Sequence, residues 1–297
     1  MSALKPPYTT LISVAELQAM HTTGAPLMVF DCSFDLMQPA AGRVLFHDSH
    51  IAGAVFADLN DDLSTHSPQF TGKAVNGGRH PLPAREDFAH WLGQIGFRNG
   101  MQAVVYDRHG MNYCGRLWWM LKWLGHDAAA VLNGGLQAWL AEGGAAESGP
   151  VGAAAPRPAT QFAVHAALLD FVDAATVQGQ LGRTSQTVLD ARAPARFRGE
   201  VEPFDPVAGH IPSALNRPYN QNIGEDGLFK PAEVLRAELD ALLGDRSAET
   251  VVHHCGSGVS AIPNILAMQV AGLGASTLFA GSWSEWCSDP ARPVARG

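Results

Sequence analysis

The sequence predicts an α/β protein made of two tandem copies of one domain, each a mainly parallel sheet flanked by helices. Short apolar runs, three of them ending in aspartate, alternate with stretches at helical spacing, as strands buried on both faces and crossed over by helices require. Four local motifs recur in the same order in both halves. Between the halves, residues 144–160 are mostly Ala, Gly, Pro and Ser, the composition of a linker. The expected domains are therefore residues 1–143 and 161–297.

In the first half, Leu11 to Leu17 reads as a capped helix with Ser13 at its start and Glu16 three residues on. Leu27-Met28-Val29-Phe30-Asp31 is a buried strand ending in Asp. After a loop comes His50-Ile51-Ala52-Gly53-Ala54, then the strand Ala103 to Asp107, then an apolar helix from Arg116 to Leu124. Val131 to Gly135 is a strand and turn leading into a helix that carries Trp139. The second half repeats this order. Val188-Leu189-Asp190 is again a strand ending in Asp, and His210-Ile211-Pro212-Ser213-Ala214 repeats the His50 box. Val251 to Cys255 repeats the strand of Val104 to Asp107, with Cys255 where the first half has Asp107. Gly281-Ser282-Trp283-Ser284-Glu285-Trp286 repeats the Gly134 to Trp139 stretch. Such repetition is the mark of a duplication, and only the second copy has a thiol at the strand end.

At 297 residues and 46% hydrophobic content the chain is long enough for two cores. A net charge of -8 argues against nucleic acid or an anionic membrane as partner. No apolar window has the length of a membrane span. The start, Met1 to Tyr8, lacks the pattern of a signal peptide, so a cytoplasmic location is expected. Cys32, Cys114, Cys255 and Cys287 have no paired metal-ligand spacing, which points to reduced thiols and no metal.

One of those thiols stands apart. Cys255 ends a β-branched strand and precedes Gly256-Ser257-Gly258-Val259-Ser260, after which Ile262, Ile265, Leu266 and Met268 mark a helix with Gly272 as its stop. The Gly-Ser-Gly stretch adds nothing to a core but suits backbone amides aimed at a charge. A thiol before a helix N-terminus is placed to react as the thiolate. His253 and His254 alternate on the strand and read as buried, hydrogen-bonded residues. His50 and His210 occur in both halves and read as structural. Trp118, Trp119, Trp123, Trp139, Trp283 and Trp286 are expected in cores and between domains. Cys32 and Cys287 are expected to be inert, and nothing recommends Cys114, which follows the first half's counterpart of the Cys255 position.

With these anchors the sequence resembles the two-domain rhodanese family of sulfurtransferases over nearly its whole length. The paired His-Ile-x-x-Ala boxes, Asp107 in place of Cys, and the closing Gly-Ser-Trp-Ser-Glu-Trp carry the resemblance. The loop from Cys255 to Ser260 resembles the form that uses 3-mercaptopyruvate, since thiosulfate-using relatives carry cationic residues where Gly256 and Ser257 stand. The resemblance implies that Cys255 becomes a persulfide and passes sulfane sulfur to cyanide or a thiol, either a small thiol or a thioredoxin-like protein. No metal or organic cofactor is implied. Gly256, Gly258, Val259 and Ser260 would line the donor site, and Arg196 would hold the donor carboxylate. A second Arg of such relatives is replaced near Phe204, with Arg198 as a candidate substitute. Ser257 and His80 would form a proton relay, with Asn60 and Asp61 as the two candidates for its third member.

Three rival readings stand beside this one. A Cys-dependent phosphatase needs an Arg after five intervening residues, where this chain has Ala261. A thiosulfate sulfurtransferase on the same fold is the alternative donor reading. A non-catalytic persulfide carrier fed by a protein partner is the third.

Overall fold

Strands covered by helices on both faces must be apolar along their length, and the runs Leu27–Asp31 and Thr187–Asp190 are buried almost throughout, their terminal aspartates included. A computed structural model of the chain describes residues 7–66, 69–70, 72–149 and 158–297. The chain divides into two units, one of residues up to Asp62 with Arg85–Leu168, the other of Leu63–Ala84 with Leu169–Gly297.

The first unit runs β1 (Leu11–Ile12), α1 (Val14–Thr23), β2 (Leu27–Asp31), α2 (Ala41–Asp48), β3 (His50–Ile51), β4 (Val55–Phe56), α3 (Arg85–Gln94), β5 (Gln102–Tyr106), α4 (Cys114–Trp123), β6 (Ala129–Leu132), α5 (Gly135–Ala141) and β7 (Ala146–Glu147). Its parallel sheet has the order β1-β6-β5-β2-β4, and β3 pairs antiparallel with β7. Ser13 and Glu16 form a reciprocal capping box at the start of α1, as their spacing predicts. The loop expected before His50 contains α2, a helix without a side-chain cap. Of the expected linker, residues 150–157 lie outside the described residues, while β7 pairs within the first unit.

The second unit runs β8 (Phe171–Val172), α6 (Ala174–Gly179), β9 (Thr187–Asp190), α7 (Pro194–Phe197), β10 (Leu215–Asn216), α8 (Ala232–Leu243), β11 (Val251–His254), α9 (Ile262–Val270), β12 (Thr277–Phe279) and α10 (Ser282–Trp286), with a 3-10 turn at Tyr219–Asn222. Its sheet, all parallel, has the order β10-β9-β11-β12-β8. Matched strand for strand, this is the order of the first sheet, so the duplication extends to topology.

The repeated histidine boxes do the same job twice. His50 stacks on Phe46 with ring centroids 3.7 Å apart and donates from Nδ1 to the Phe46 carbonyl at 2.7 Å. His210 stacks on Phe197 at 3.8 Å and donates from Nδ1 to the Phe197 carbonyl at 2.8 Å. The six named tryptophans are all buried. Cys114 is fully buried at the start of α4. Burial, with Asp107 beside it, pushes its thiol well up, and burial with Asp31 does the same to Cys32. Burial also raises Cys287. All three are poor nucleophiles.

On β11 the two histidines point to opposite faces, and both are fully buried. His253 Nε2 faces Met268 Sδ at 3.1 Å. Burial, with His254 adding to it, lowers its pKa to about 3. A histidine neutral in the fold but protonated in the unfolded chain favours unfolding as pH drops below about 6.5, with a slope approaching 1.4 kcal/mol per pH unit until the folded pKa is reached. The stability lost between pH 6.5 and 4 is therefore expected to shrink by about one proton's slope in His253→Leu. Denaturant unfolding of both proteins across that range checks it, and parallel pH profiles would refute it.

Candidate active site

The loop from Cys255 to Ala261 leaves β11 at the C-terminal edge of the sheet and feeds α9. Cys255 and Ser257 are buried, as is Val259, and Ser260 is half-buried. Gly258 has φ +76, and a Cβ there would lie 2.1 Å from the Ala280 carbonyl oxygen, so the turn needs both the left-handed backbone and the absence of a side chain.

The Gly-Ser-Trp-Ser box holds this loop by its backbone. Trp283 N–H donates to the Cys255 carbonyl at 3.0 Å and Ser284 N–H to the Gly256 carbonyl at 2.9 Å. Ser282 Oγ accepts from Cys255 N–H at 3.1 Å, donates to the Phe279 carbonyl at 3.0 Å and lies 4.0 Å from Cys255 Sγ. Ser282 has φ +54, where the matching residue of the first unit is Gly135 at φ +59. A serine held in a region that favours glycine places its hydroxyl on the Cys255 N–H. Sequence reasoning assigned Ser282 no role beyond its box.

The first unit shows what such a loop binds. Asp107, in the place of Cys255, turns its carboxylate into its own loop. Oδ1 accepts from the N–H groups of His109 (2.8 Å) and Met111 (3.0 Å), and Oδ2 from Tyr113 (2.7 Å) and Cys114 (2.9 Å). The two loops have equal length, and Gly110 at φ +67 matches Gly258.

Two further expected residues reach the second unit's loop. His80, in the segment Leu63–Ala84, is buried with Nδ1 2.7 Å from Ser257 Oγ. Ser284 Oγ fixes that segment by accepting from Arg79 N–H at 3.0 Å. Arg196 lies in α7 and is no solvated surface charge: Nη2 donates to Glu202 Oε1 at 2.6 Å and Nε to Oε2 at 3.3 Å. A Cβ on Gly256 would lie 3.5 Å from Nη1 and Nη2 of Arg196. Arg198 is not placed as its companion, being about half exposed and tied to Glu200 at 2.7 and 3.0 Å. Arg79, given no role from sequence, stands there instead, with Nη2 3.4 Å from the same Cβ position. The loop itself is neutral, but it is not without cations around it.

Beneath the loop, Arg192 binds the buried Asp190 through Nε and Nη2 at 2.7–3.1 Å and stacks 4.6 Å over Trp283. Burial pushes the Asp190 carboxyl up, but His254 and Arg192 outweigh it and hold it below its ordinary value. Burial lowers His254, whose Nε2 is 3.5 Å from Asp190. Both strand histidines are thus structural neighbours of the loop.

Asn60 and Asp61 belong to the first unit, in the turn after β4, where both N–H groups donate to Asp58 Oδ1 at 2.8 and 3.1 Å. Asp61 also faces Arg43 at 3.8 Å. Among the described residues there is no group of acidic, His or Cys side chains fit for a metal, and no helix is long and apolar enough to cross a membrane.

The rhodanese-like domain family matches the chain twice, at residues 13–142 and 173–289. The chain is 45% identical, over 95% of its length and 97% of the relative's, to a Pseudomonas aeruginosa protein named a probable 3-mercaptopyruvate sulfurtransferase. It is 40% identical, over 97% of both chains, to a Mycobacterium tuberculosis protein provisionally named thiosulfate sulfurtransferase SseB. The solved structure of 3-mercaptopyruvate sulfurtransferase from Leishmania major superposes with a TM-score of 0.81 at 30% identity, covering 96% of this chain and 76% of that one.

Proposed function

Given that the chain belongs to the rhodanese-like domain family, we propose that it is a sulfurtransferase that takes sulfane sulfur from 3-mercaptopyruvate through a Cys255 persulfide to a thiol or cyanide. The observation that carries the donor choice is the pair of partly exposed guanidinium edges over Gly256, next to a thiol held in a neutral loop.

The Cys255 thiolate attacks the donor's sulfur, forming the S–S bond as the carbon–sulfur bond breaks. The electron pair of the broken bond passes to carbon and leaves pyruvate enolate. Arg196 holds the carboxylate by charge-assisted hydrogen bonds. The Ser257 hydroxyl, 2.7 Å from His80 Nδ1, moves the proton needed to convert the enolate to pyruvate. Asn60 or Asp61 would complete the relay. An acceptor thiolate then attacks the outer sulfur, takes it as its own persulfide and returns Cys255 as thiolate. The four amides on Asp107 support this reading of the matching loop, because they display its preference for an anion at that place.

The proposed acceptor is a small thiol or a thioredoxin-like protein, and the proposed location is the cytoplasm. The proposed domains keep the limits 1–143 and 161–297 with 144–160 between them.

The test is sulfur transfer to cyanide with 3-mercaptopyruvate and with thiosulfate in parallel. A kcat/KM at least about tenfold higher with mercaptopyruvate is expected, the discrimination of one charge-assisted contact. Preference for thiosulfate would overturn the donor, and turnover with neither would favour a carrier loaded by a protein partner.

A further inference from the structure

One turn of α10 touches both the loop that carries Ser257 and the segment that carries His80. Ser284 N–H holds the Gly256 carbonyl at 2.9 Å, while Ser284 Oγ accepts from Arg79 N–H at 3.0 Å and donates to the Gly281 carbonyl at 3.2 Å. The segment is pressed onto this turn at two glycines. A Cβ on Gly78, whose φ is +90, would lie 2.6 Å from the Gly281 carbonyl oxygen and 2.9 Å from Ser284 Oγ. A Cβ on Gly77 would lie 3.0 and 3.1 Å from Cγ and Cδ of Glu285. The Glu285 side chain folds back over Gly281 so closely that a Cβ there would overlap Oε2. Its carboxylate therefore lies between Gly77 and Gly281. Burial pushes the Glu285 carboxyl up, and the Gly77 N–H, which donates to it, offsets part of the rise.

The helix does not ask for a carboxylate at this place. The first unit builds the matching turn of α5 with Ala138, whose N–H donates to the Gly134 carbonyl at 3.2 Å as Glu285 N–H does to Gly281 at 3.1 Å. Nor is the charge spent on an ion pair. Arg292 turns its guanidinium to the Glu285 carbonyl at 2.5 Å and to Asp289 at 3.7 Å. Glu285 Oε2 is buried without a hydrogen-bond partner among the described residues, a cost that alanine does not carry. The copy that bears this cost is the copy with the nucleophile.

We propose that Glu285 is a positioning residue for sulfur transfer: by seating Gly77 on α10, it holds the His80 imidazole against the Ser257 hydroxyl. The inference rests on the Ser257–His80 relay described above. The chain of contacts is short. Gly77 is three residues from His80, Glu285 adjoins Ser284, and Ser284 holds the carbonyl of the residue before Ser257. A displacement of the segment therefore passes directly into the 2.7 Å contact between His80 Nδ1 and Ser257 Oγ. Glu285 touches no reacting atom and acts through His80.

The test is a double-mutant cycle. Glu285→Ala, which installs the first unit's residue, is compared with His80→Ala, the double variant and wild type, and Glu285→Gln serves as the conservative variant. Single-turnover release of pyruvate from mercaptopyruvate reads the half-reaction in which the relay moves a proton. Discharge to cyanide of enzyme preloaded with inorganic polysulfide reads the half in which it does not. Glu285→Ala is expected to slow pyruvate release by about 10- to 100-fold, the effect of misplacing a catalytic group by about 1 Å, with discharge within about twofold of wild type. In the His80→Ala background the same substitution should change pyruvate release by less than about twofold, since no imidazole is left to misplace. Glu285→Gln, which keeps an oxygen for the Gly77 N–H, should recover most of the rate. Unchanged pyruvate release in Glu285→Ala, additive losses across the cycle, or an equal fall in discharge would overturn the positioning role. A Glu285→Ala chain that does not fold would overturn it as well, by making the carboxylate a requirement of the fold. Wild-type pyruvate release in His80→Ala would instead overturn the relay on which the inference rests.

Discussion

Cys255→Ser is expected to lower sulfur transfer by about 1,000-fold or more with every donor, as loss of a covalent nucleophile does, while leaving the fold intact. The substitution keeps the side-chain connectivity and replaces the sulfur atom by a smaller oxygen. The loop's anchors are backbone groups, Cys255 N–H to Ser282 Oγ and the Cys255 carbonyl to Trp283 N–H, so serine keeps both. A hydroxyl cannot carry sulfane sulfur, so the single-turnover release of pyruvate should vanish along with the mass gain of one sulfur atom. Mass spectrometry of the donor-treated protein reads this directly. A retained sulfur adduct in Cys255→Ser would place the acceptor thiol elsewhere, and Cys32, Cys114 and Cys287, with burial pushing their thiols up, are poor places for it.

The second large effect falls on shape. Gly258→Val is expected to destabilise the protein by about 2–5 kcal/mol, combining the strain of a β-branched residue at positive φ with overpacking against backbone. The Ala280 carbonyl oxygen, 2.1 Å from the new Cβ, belongs to the turn between β12 and α10 and has little room to retreat. Gly272→Val provides the comparison. Its φ is +70, but no atom lies within 4 Å of its Cβ position, so it should show the backbone strain alone. Urea unfolding of the two variants separates the terms. Equal losses in both would mean that the close approach to Ala280 is relieved at no cost. Activity should fall sharply only in Gly258→Val, because that loop carries the nucleophile.

Both predictions concern residues whose place was legible before any coordinates. Cys255 and Gly258 are local features, a strand end and a turn, and local chemistry marks them. The capping box of Ser13 and Glu16 is legible for the same reason. So were the shared fold of the two halves, through repetition, and the burial of His253 and His254, through alternation on β11. What sequence reasoning missed depended on distance along the chain. Arg79 meets Asp205 more than a hundred residues away, and no pattern around Gly78-Arg79-His80 announces that partner. The loop's apparent lack of cations was a statement about residues 255–261 only, whereas its charge comes from α7 and the segment before α3. Helix α2 escaped notice because it has no side-chain cap and buries only Gly42 and Phe46. The burial of Cys114 is set by its helix, every residue of which is buried, and its place after a loop does not reveal that. Ser282 looked like part of a tryptophan box, and its left-handed backbone is not readable from its letter.

The carboxylate of Asp107 has an evolutionary consequence. It is covalently attached and accepts four N–H groups, so that half of the duplication carries a built-in, permanent occupant. Restoring a thiol there would leave donors with a weaker and smaller acceptor, and each buried donor without a partner costs about 1–3 kcal/mol. A single change back to cysteine must therefore cross a valley of instability before any activity could reward it. The division of labour between the halves is thereby locked: with a tethered anion filling its loop, the first unit resists taking up a nucleophile, and the copy with the free thiol is the one open to selection on catalysis.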